Sequence, residues 1–411
     1  MAIPPPKLGD RRLNAVVESA FAKQTDTDRK LLFGQFATVP AVVDASHLSA
    51  LKRLAQLLDG ALRAIVERYF EDSRIRAIYR LPETLDRILR QTRGKPYNIG
   101  LYRPDFIYDK DGQPRICEIG SRYPLNGWIV SRLAAEAYDQ AAECLGLRTQ
   151  IEQFTFVSDL LNLHPPGSTV AMVHEREAGT EIFYLRDAMR RQGTEFLQVA
   201  PGSLSTMGGR LSVDGRLIDR AILELDRSEL PKIADDALAA LINSEAYFND
   251  VRTLVLVHDK RVLAVLCNEE IMRDCLPDAD LAELHQYLIP SWAPASPEEA
   301  EIVLSQPENL IAKRSSGGRG LGTVVRGDSD LTLWKSLVSD HWADYMFQPY
   351  LQQLEYLSPE HESDQSLIHL VGMQLCWNAT SYGIGVFRGS DQAVINLHQD
   401  RGRLYPAFVQ I

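Results

Sequence analysis

Cysteine is scarce in this chain: five residues in 411, namely Cys117, Cys144, Cys267, Cys275 and Cys376. They are scattered and none stands in CxxC spacing, which argues against a disulfide framework and a structural zinc site and fits a reducing cytoplasm. No apolar run approaches membrane-spanning length. The opening Met1-Ala2-Ile3-Pro4-Pro5-Pro6 has no apolar core of signal-peptide length. Positive charge is also short, with 44 Lys and Arg against 55 Asp and Glu and a net charge of -11. No basic face is expected for nucleic acid, although a nucleotide needs only a few local lysines and magnesium. HExxH, GxSxG and the kinase HRD set are missing. The nine histidines are dispersed, and each reads as a surface or core residue.

What is present is the composition of a soluble globular protein, 45% hydrophobic and 24% charged. The length suggests about two to four domains. Residues 1–95 read as an N-terminal helical region. Leu51, Leu54, Leu58, Leu62, Ile65 and Tyr69 recur at three- and four-residue steps, with Ser46 or Asp44 as cap. Residues 96–164 read as a hairpin, with strands over 97–108 and 115–119, followed by a helix over 128–145. Asp109-Lys110-Asp111-Gly112 has turn chemistry and lacks the spacing of a calcium loop. Residues 165–250 read as a small doubly wound α/β domain. Its strands are 169–174, 195–199 and 220–225, and its first turn lacks the dinucleotide GxGxxG. From 251 to 411, strands and short helices alternate. The fold class is therefore α/β, of mixed α+β character.

The segment Ile311-Ala312-Lys313-Arg314-Ser315-Ser316-Gly317-Gly318-Arg319-Gly320-Leu321-Gly322-Thr323 joins two apolar, strand-like runs. A lysine followed by a glycine-rich loop supplies free backbone N–H groups, close approach and fixed positive charge, which are the parts of a phosphate cradle. It is not a P-loop, because no Gly-Lys-Ser/Thr follows the glycines. The same pattern also fits a plain glycine hairpin.

Four further constellations carry chemistry. Arg103, Asp105 and Glu118 lie on the two strands of the hairpin, so two carboxylates and a guanidinium can share one site. That suits magnesium and developing negative charge, and it also suits an ordinary surface ion pair. His258-Asp259-Lys260 closes a strand-like run at 254–257 and opens a helix at 262–271. A lysine there is explained by a bound anion or by simple solvation. Phe347-Gln348-Pro349-Tyr350 ends a strand whose backbone could lie beside an adenine, or is an ordinary edge strand. Gly383, Gly385 and Arg388, ahead of Asn396, Asp400 and Arg401, could approach a carboxylate, or form a plain hairpin with an exposed arginine.

In this order, these stretches resemble the permuted ATP-grasp enzymes typified by glutathionylspermidine synthetase, with eukaryotic glutathione synthetase a more distant relative. The resemblance covers roughly residues 95–150 and 250–411, and it includes Gln348-Pro349, His369-Leu370-Val371-Gly372 and Arg403-Leu404-Tyr405-Pro406. It implies an ATP-grasp fold with permuted domain order, a preATP-grasp-like subdomain and a substrate subdomain. It implies ATP and Mg2+ as cofactors. Asp105 and Glu118 would hold the metal. Lys260, Lys313, Ser316, Gly317, Gly318, Gly320, Gln348 and Tyr350 would bind the nucleotide, and Arg103, Arg319 and Arg388 would be catalytic. Gly120 stands where the family has a metal-binding asparagine, so water, Asn126 or a weaker metal site is expected there.

The implied activity is an ATP-dependent carboxylate–amine ligase that forms an amide of peptide or γ-glutamyl type through an acyl phosphate. Its substrates would be amino acids or short peptides. A nucleotide-binding pseudoenzyme and a small-molecule kinase remain alternatives. Neither a nucleic-acid nor a membrane partner is expected, and a homodimer is the default for a soluble enzyme of this size.

Overall fold

The computed structural model describes residues 5–9, 35–37, 39–144, 146–149, 155–176, 179, 181–244, 248–306, 309–318, 322–357, 367–392, 395 and 402–410. It is a mixed α/β molecule. The first long helix, α1 (Ala45–Arg68), is capped by the Asp44 carboxylate, which accepts from the Ser46 and His47 amides. Its periodic face, including Leu51, Leu54, Leu58, Leu62 and Ile65, is fully buried. Each such side chain contributes roughly 1.5–3 kcal/mol on burial.

The hairpin forms as expected, from β1 (Leu101–Tyr108) and β2 (Pro114–Gly120). Asp109 closes the turn by accepting from the Asp111 and Gln113 amides. After it comes α2 (Trp128–Glu143). The next unit is a three-stranded parallel sheet of β3 (Thr169–Val173), β4 (Glu195–Val199) and β5 (Arg220–Leu223), in the order β5-β3-β4. Helix α3 (Ile182–Arg191) connects β3 to β4, and α4 (Asp235–Asn243) follows β5.

One expectation fails between residues 251 and 272. The run 254–257 is not a strand. Thr253–Val257 forms a π-helical turn, in which the His258 amide donates to the Thr253 carbonyl at 3.0 Å. The helix expected over 262–271 is broken into α5 (Val262–Leu266) and a short turn, Glu269–Met272. The reason is burial on every side: residues 253–257 and 262–266 are all buried. A short run of uniformly apolar residues carries no period that separates strand from helix.

The strands flanking the glycine loop do form. β6 (Leu310–Arg314) lies between β7 (Thr323–Val325) and a later strand, β8 (Tyr345–Pro349), and all pairings are antiparallel. This sheet has its own small core, in which Ala300, Val303, Trp334 and Leu337 pack on Leu310, Ala312 and Phe347. The C-terminal strands are β9 (Leu367–Trp377), β10 (Thr380–Ile384), β11 (Phe387–Ser390) and β12 (Arg403–Tyr405). Together with the short strand Tyr356–Leu357, they join the hairpin in one seven-stranded sheet whose main path is β12-β11-β9-β1-β2. Residues far apart in the chain thus meet on one face. Among the described residues, no helix is long and apolar enough to cross a membrane.

Candidate active site

The register of the hairpin sets the first layer of the site. Asp105 lies opposite Glu118 and Arg103 opposite Gly120, with a shift in register just after Asp105. Directly opposed residues share a sheet face. The partner of Asp105 comes from β11: Arg388 Nη2 donates to its Oδ2 at 2.5 Å. Arg103 lies half-buried beside them and donates from Nη1 to the Tyr123 carbonyl at 2.8 Å.

The lysines come in from the other side. Lys260 Nζ is 3.2 Å from Glu118 Oε1 and donates to the Gly317 carbonyl at 3.0 Å. The Lys260 amide also donates to the Ser315 carbonyl at 3.1 Å, which ties the segment after the π turn to the start of the glycine loop. Lys313 Nζ donates to the Cys117 carbonyl at 2.8 Å. Asp105, Glu118, Lys260, Lys313, Gly317 and Arg388 are therefore brought together. Ser316 and Gly318 flank Gly317 in the loop. Arg319, Gly320, Asn396, Asp400 and Arg401 lie outside the described residues.

The two carboxylates differ electrostatically. Burial alone would raise Glu118, but the charges of Lys260 and Lys313 outweigh it and bring its pKa down to about 2. Asp105 is raised, chiefly by burial and further by the neighbouring Glu118 charge, against the pull of Arg388 and Arg103. One carboxylate is thus firmly ionised while the other is held by its guanidinium.

Whether these residues suit a metal and a nucleotide follows from the donor set. Among the described residues, no group of three or more His, Cys, Asp or Glu is placed to hold a metal ion. Magnesium commonly uses one or two carboxylates and completes its shell with water and phosphate oxygens. Asp105 and Glu118 fit a magnesium ion of that kind and do not form a dedicated protein cage. On the nucleotide side, both lysines are satisfied by backbone carbonyls that phosphate oxygens can replace. Gln348 is fully buried on β8, and its Nε2 donates to Ser291 Oγ at 2.9 Å. Its Oε1 has no partner, which suits an amino donor such as that of adenine. Tyr350 follows the strand and is anchored by its amide, which donates to the Asn309 carbonyl at 2.7 Å.

Gly120 has a structural reason. A Cβ there would lie 2.9 Å from Arg103 Nη2. The arginine occupies the space that a longer side chain would need. Asn126 Oδ1 lies elsewhere, beside Gly179 and Glu224.

Sequence reasoning gave His258 and Asp259 no role beside Lys260, and it missed Arg227 and Glu181. His258 accepts from the Ser121 amide at 3.3 Å through Nδ1, while its buried Nε2 has no partner. Burial, the Lys260 charge and the nearby arginines bring its pKa down to about 3, so the ring is neutral at pH 7. Asp259 is fully buried between two guanidiniums. Arg261 Nη2 is 2.6 Å from its Oδ2, and Arg227 Nη1 pairs with the same oxygen. Arg227 Nη2 also reaches Ser315 Oγ at 3.2 Å, so this cluster braces the start of the glycine loop. The alternation of charges in His258-Asp259-Lys260-Arg261 was the available signal. Glu181 caps α2, accepting from Gly127 and, at 2.8 Å, from Val130.

Carboxylates, lysines and a glycine loop thus converge on one site of a mixed α/β chain. The family model described as the AnkG N-terminal domain matches residues 54–256, a span that includes the hairpin and the parallel sheet. The chain is 23% identical over 414 residues to "ATP-grasp enzyme ankG" of Aspergillus thermomutatus, covering 86% of this chain and 85% of that protein. The two matches support an ATP-grasp family and suggest an ATP-dependent, ligase-type enzyme.

Proposed function

We propose that the protein is an ATP-dependent carboxylate–amine ligase that joins amino-acid-like substrates through an acyl phosphate, releasing ADP and phosphate. The observation that carries this reading is the meeting of Glu118 with Lys260 at 3.2 Å on the same hairpin that pairs Asp105 with Arg388 at 2.5 Å. Lys260 and Lys313 supply positive charge for phosphates, and the glycine loop excludes water from the transferred group. Asp105 and Glu118 would hold magnesium, which would supply charge neutralisation for the phosphates. As a metal ligand, Asp105 would release Arg388 to anchor a substrate carboxylate. Arg103, half-buried and anchored on the Tyr123 carbonyl, stabilises the charge of the tetrahedral intermediate. No protein nucleophile is needed.

The narrower kinship with glutathionylspermidine synthetase, in its permuted order of motifs, rests on their colinearity. The reading places the enzyme in the cytoplasm. The test is ADP formation with magnesium and ATP against pooled amino acids, with and without hydroxylamine, on wild type and Lys313→Ala. Amino-acid-dependent ADP release that the variant loses, together with a hydroxamate, supports the ligase. Absence of ATP binding by calorimetry sinks it.

A further inference from the structure

A cleft of about 260 Å3 lies apart from the carboxylates and lysines, where the segment leading into β1 meets the parallel-sheet unit. The large sheet and that segment contribute Asn98, Trp377 and Asn378, and the parallel-sheet unit contributes Arg220, Phe248 and Asp250. Backbone pairing holds both sides. Trp377 lies opposite Leu101 in the register of β9 with β1. Asn378 Oδ1 accepts from the Gly100 amide at 2.9 Å, and the Gly100 carbonyl accepts from the Asn378 amide at 3.0 Å. Across the cleft, the Phe248 amide donates to the Ala221 carbonyl at 2.7 Å, which seats Phe248 beside the start of β5.

Leu101, which also lines the cleft, shares a face of β1 with Arg103 and Asp105. Four residues separate Leu101 from Asp105, about 13 Å at about 3.3 Å per residue. A small molecule in the cleft therefore leaves the candidate active site untouched.

The space is ample, since about 150 Å3 is enough for benzene in an apolar cavity. Ligand pockets combine aromatic walls with a few polar groups that fix orientation. Trp377 and Phe248, both half-buried, are such walls. The charge follows from the pairing of the acids. Asp250 is taken up by Arg252, whose amide, Nε and Nη2 donate to it at 2.7, 3.0 and 2.7 Å. Asp219, next to Arg220 in the chain, accepts from the Thr169 amide at 2.9 Å and pairs with Arg210 at 3.2 Å. Among the described residues that line the cleft, Arg220 thus sets its charge. A guanidinium offers five N–H donors in a fork that matches a carboxylate. Burial lowers the Arg220 pKa, a cost that a bound anion offsets.

We propose that this cleft is a second binding site, for a small aromatic carboxylate whose anionic group sits on Arg220 and whose ring lies against Trp377 and Phe248. The Asn98 and Asn378 amides add hydrogen bonds. No group of the candidate metal or nucleotide site takes part, so the cleft stands whether or not the ligase reading does.

The test is titration calorimetry on the full chain with benzoate, phenylacetate and L-phenylalanine, and with acetate and benzyl alcohol as controls that lack the ring or the charge. At least one of the three acids should bind wild type, and more tightly than either control. Arg220→Gln should weaken it by about 10-fold or more, the usual scale for a lost charged hydrogen bond. Asn98→Trp, at an exposed position, fills the mouth of the cleft and should do the same, so the test survives if one variant fails to fold, as judged by circular dichroism. Lys313→Ala, in the candidate nucleotide site, should bind the acid as wild type does. No binding by any of the three acids, equal binding by benzyl alcohol, or wild-type affinity in either folded cleft variant overturns the proposal. Loss of binding in Lys313→Ala overturns it as well, because the acid would then occupy the nucleotide site.

Discussion

Arg388 reaches back across 283 positions of sequence to place its Nη2 2.5 Å from the Asp105 carboxylate. Neither residue completes the site alone. Removing the guanidinium leaves a half-buried carboxylate without its partner, and removing the carboxylate leaves a half-buried cation unpaired. Arg388→Ala should therefore lower ATP turnover by about 10-fold or more, the scale of about 1.5 kcal/mol for a lost charged hydrogen bond. Arg388→Lys, which keeps the charge and loses the forked geometry, should fall between the two. Steady-state ADP release checks both, and an alanine variant at wild-type speed would remove Arg388 from the site.

Lys260 ties Glu118 to the glycine loop, so Lys260→Ala should act on both. The expected result is an increase in KM for ATP of about 10-fold or more, the cost of one charged hydrogen bond. Lys260→Arg should not restore the wild-type value, because the guanidinium has a different shape. Initial rates over a range of ATP concentrations decide the matter.

Gly120 makes a sharper test of how the hairpin is used. If the glycine were a degraded metal ligand, Gly120→Asn would tighten magnesium binding. The contact with Arg103 predicts the reverse. The new side chain should displace the guanidinium at a cost of about 1–3 kcal/mol, typical of overpacking, and turnover should drop about 10-fold or more. Magnesium-dependent rates on this variant distinguish the two outcomes.

The buried glutamates give stability a pH dependence. In the folded chain Glu181 and Glu224 keep their protons up to about 7 and about 8, against an ordinary value of 4.5. The folded state therefore binds more protons than the unfolded state between those limits. The stability that this carries is complete below about pH 4.5 and is lost as pH rises through about 7 and 8. His258, with its pKa near 3, works in the opposite direction and below pH 6.5. Melting curves from pH 6.5 to 9 should show Tm falling in wild type and falling less in Glu224→Gln. Parallel slopes would contradict the burial of Glu224.

Asp259→Asn tests the brace behind the loop. It leaves Arg227 and Arg261 facing a neutral group, and the expected destabilisation is about 3–5 kcal/mol. Chemical denaturation measures it, and a loss under about 1 kcal/mol would show that the cluster is better solvated than its burial suggests.

Local chemistry made part of this structure legible. The hairpin was visible because Asp109-Lys110-Asp111-Gly112 is turn chemistry between alternating runs, and once it forms the register puts Asp105 opposite Glu118. The glycine loop and Lys313 were visible for the same reason. The π turn at 253–257 was not, because four apolar residues in a row fit several backbones equally well. Glu181 and Glu224 were invisible as buried acids. Their environment is set by the packing of the parallel sheet against the segment that carries Asn126 and α2, and no spacing in the sequence encodes it. Gly120 was noticed as a departure, but its cause is the side chain of Arg103 across the hairpin, a contact that only the pairing register reveals.

The order of strands in the large sheet has a consequence for synthesis. β1 pairs with β2 on one side and with β9 on the other, with Ile107 opposite Val371. On the ribosome the hairpin emerges long before β9. At about 5–20 residues per second, the 264 positions from Ile107 to Val371 take about 13–53 s to make. For that time one edge of β1 has no neighbour, and an open strand edge is a template for pairing with other chains. A nascent chain of this protein should depend on chaperones, or on slow translation at low temperature, more than its final stability would suggest.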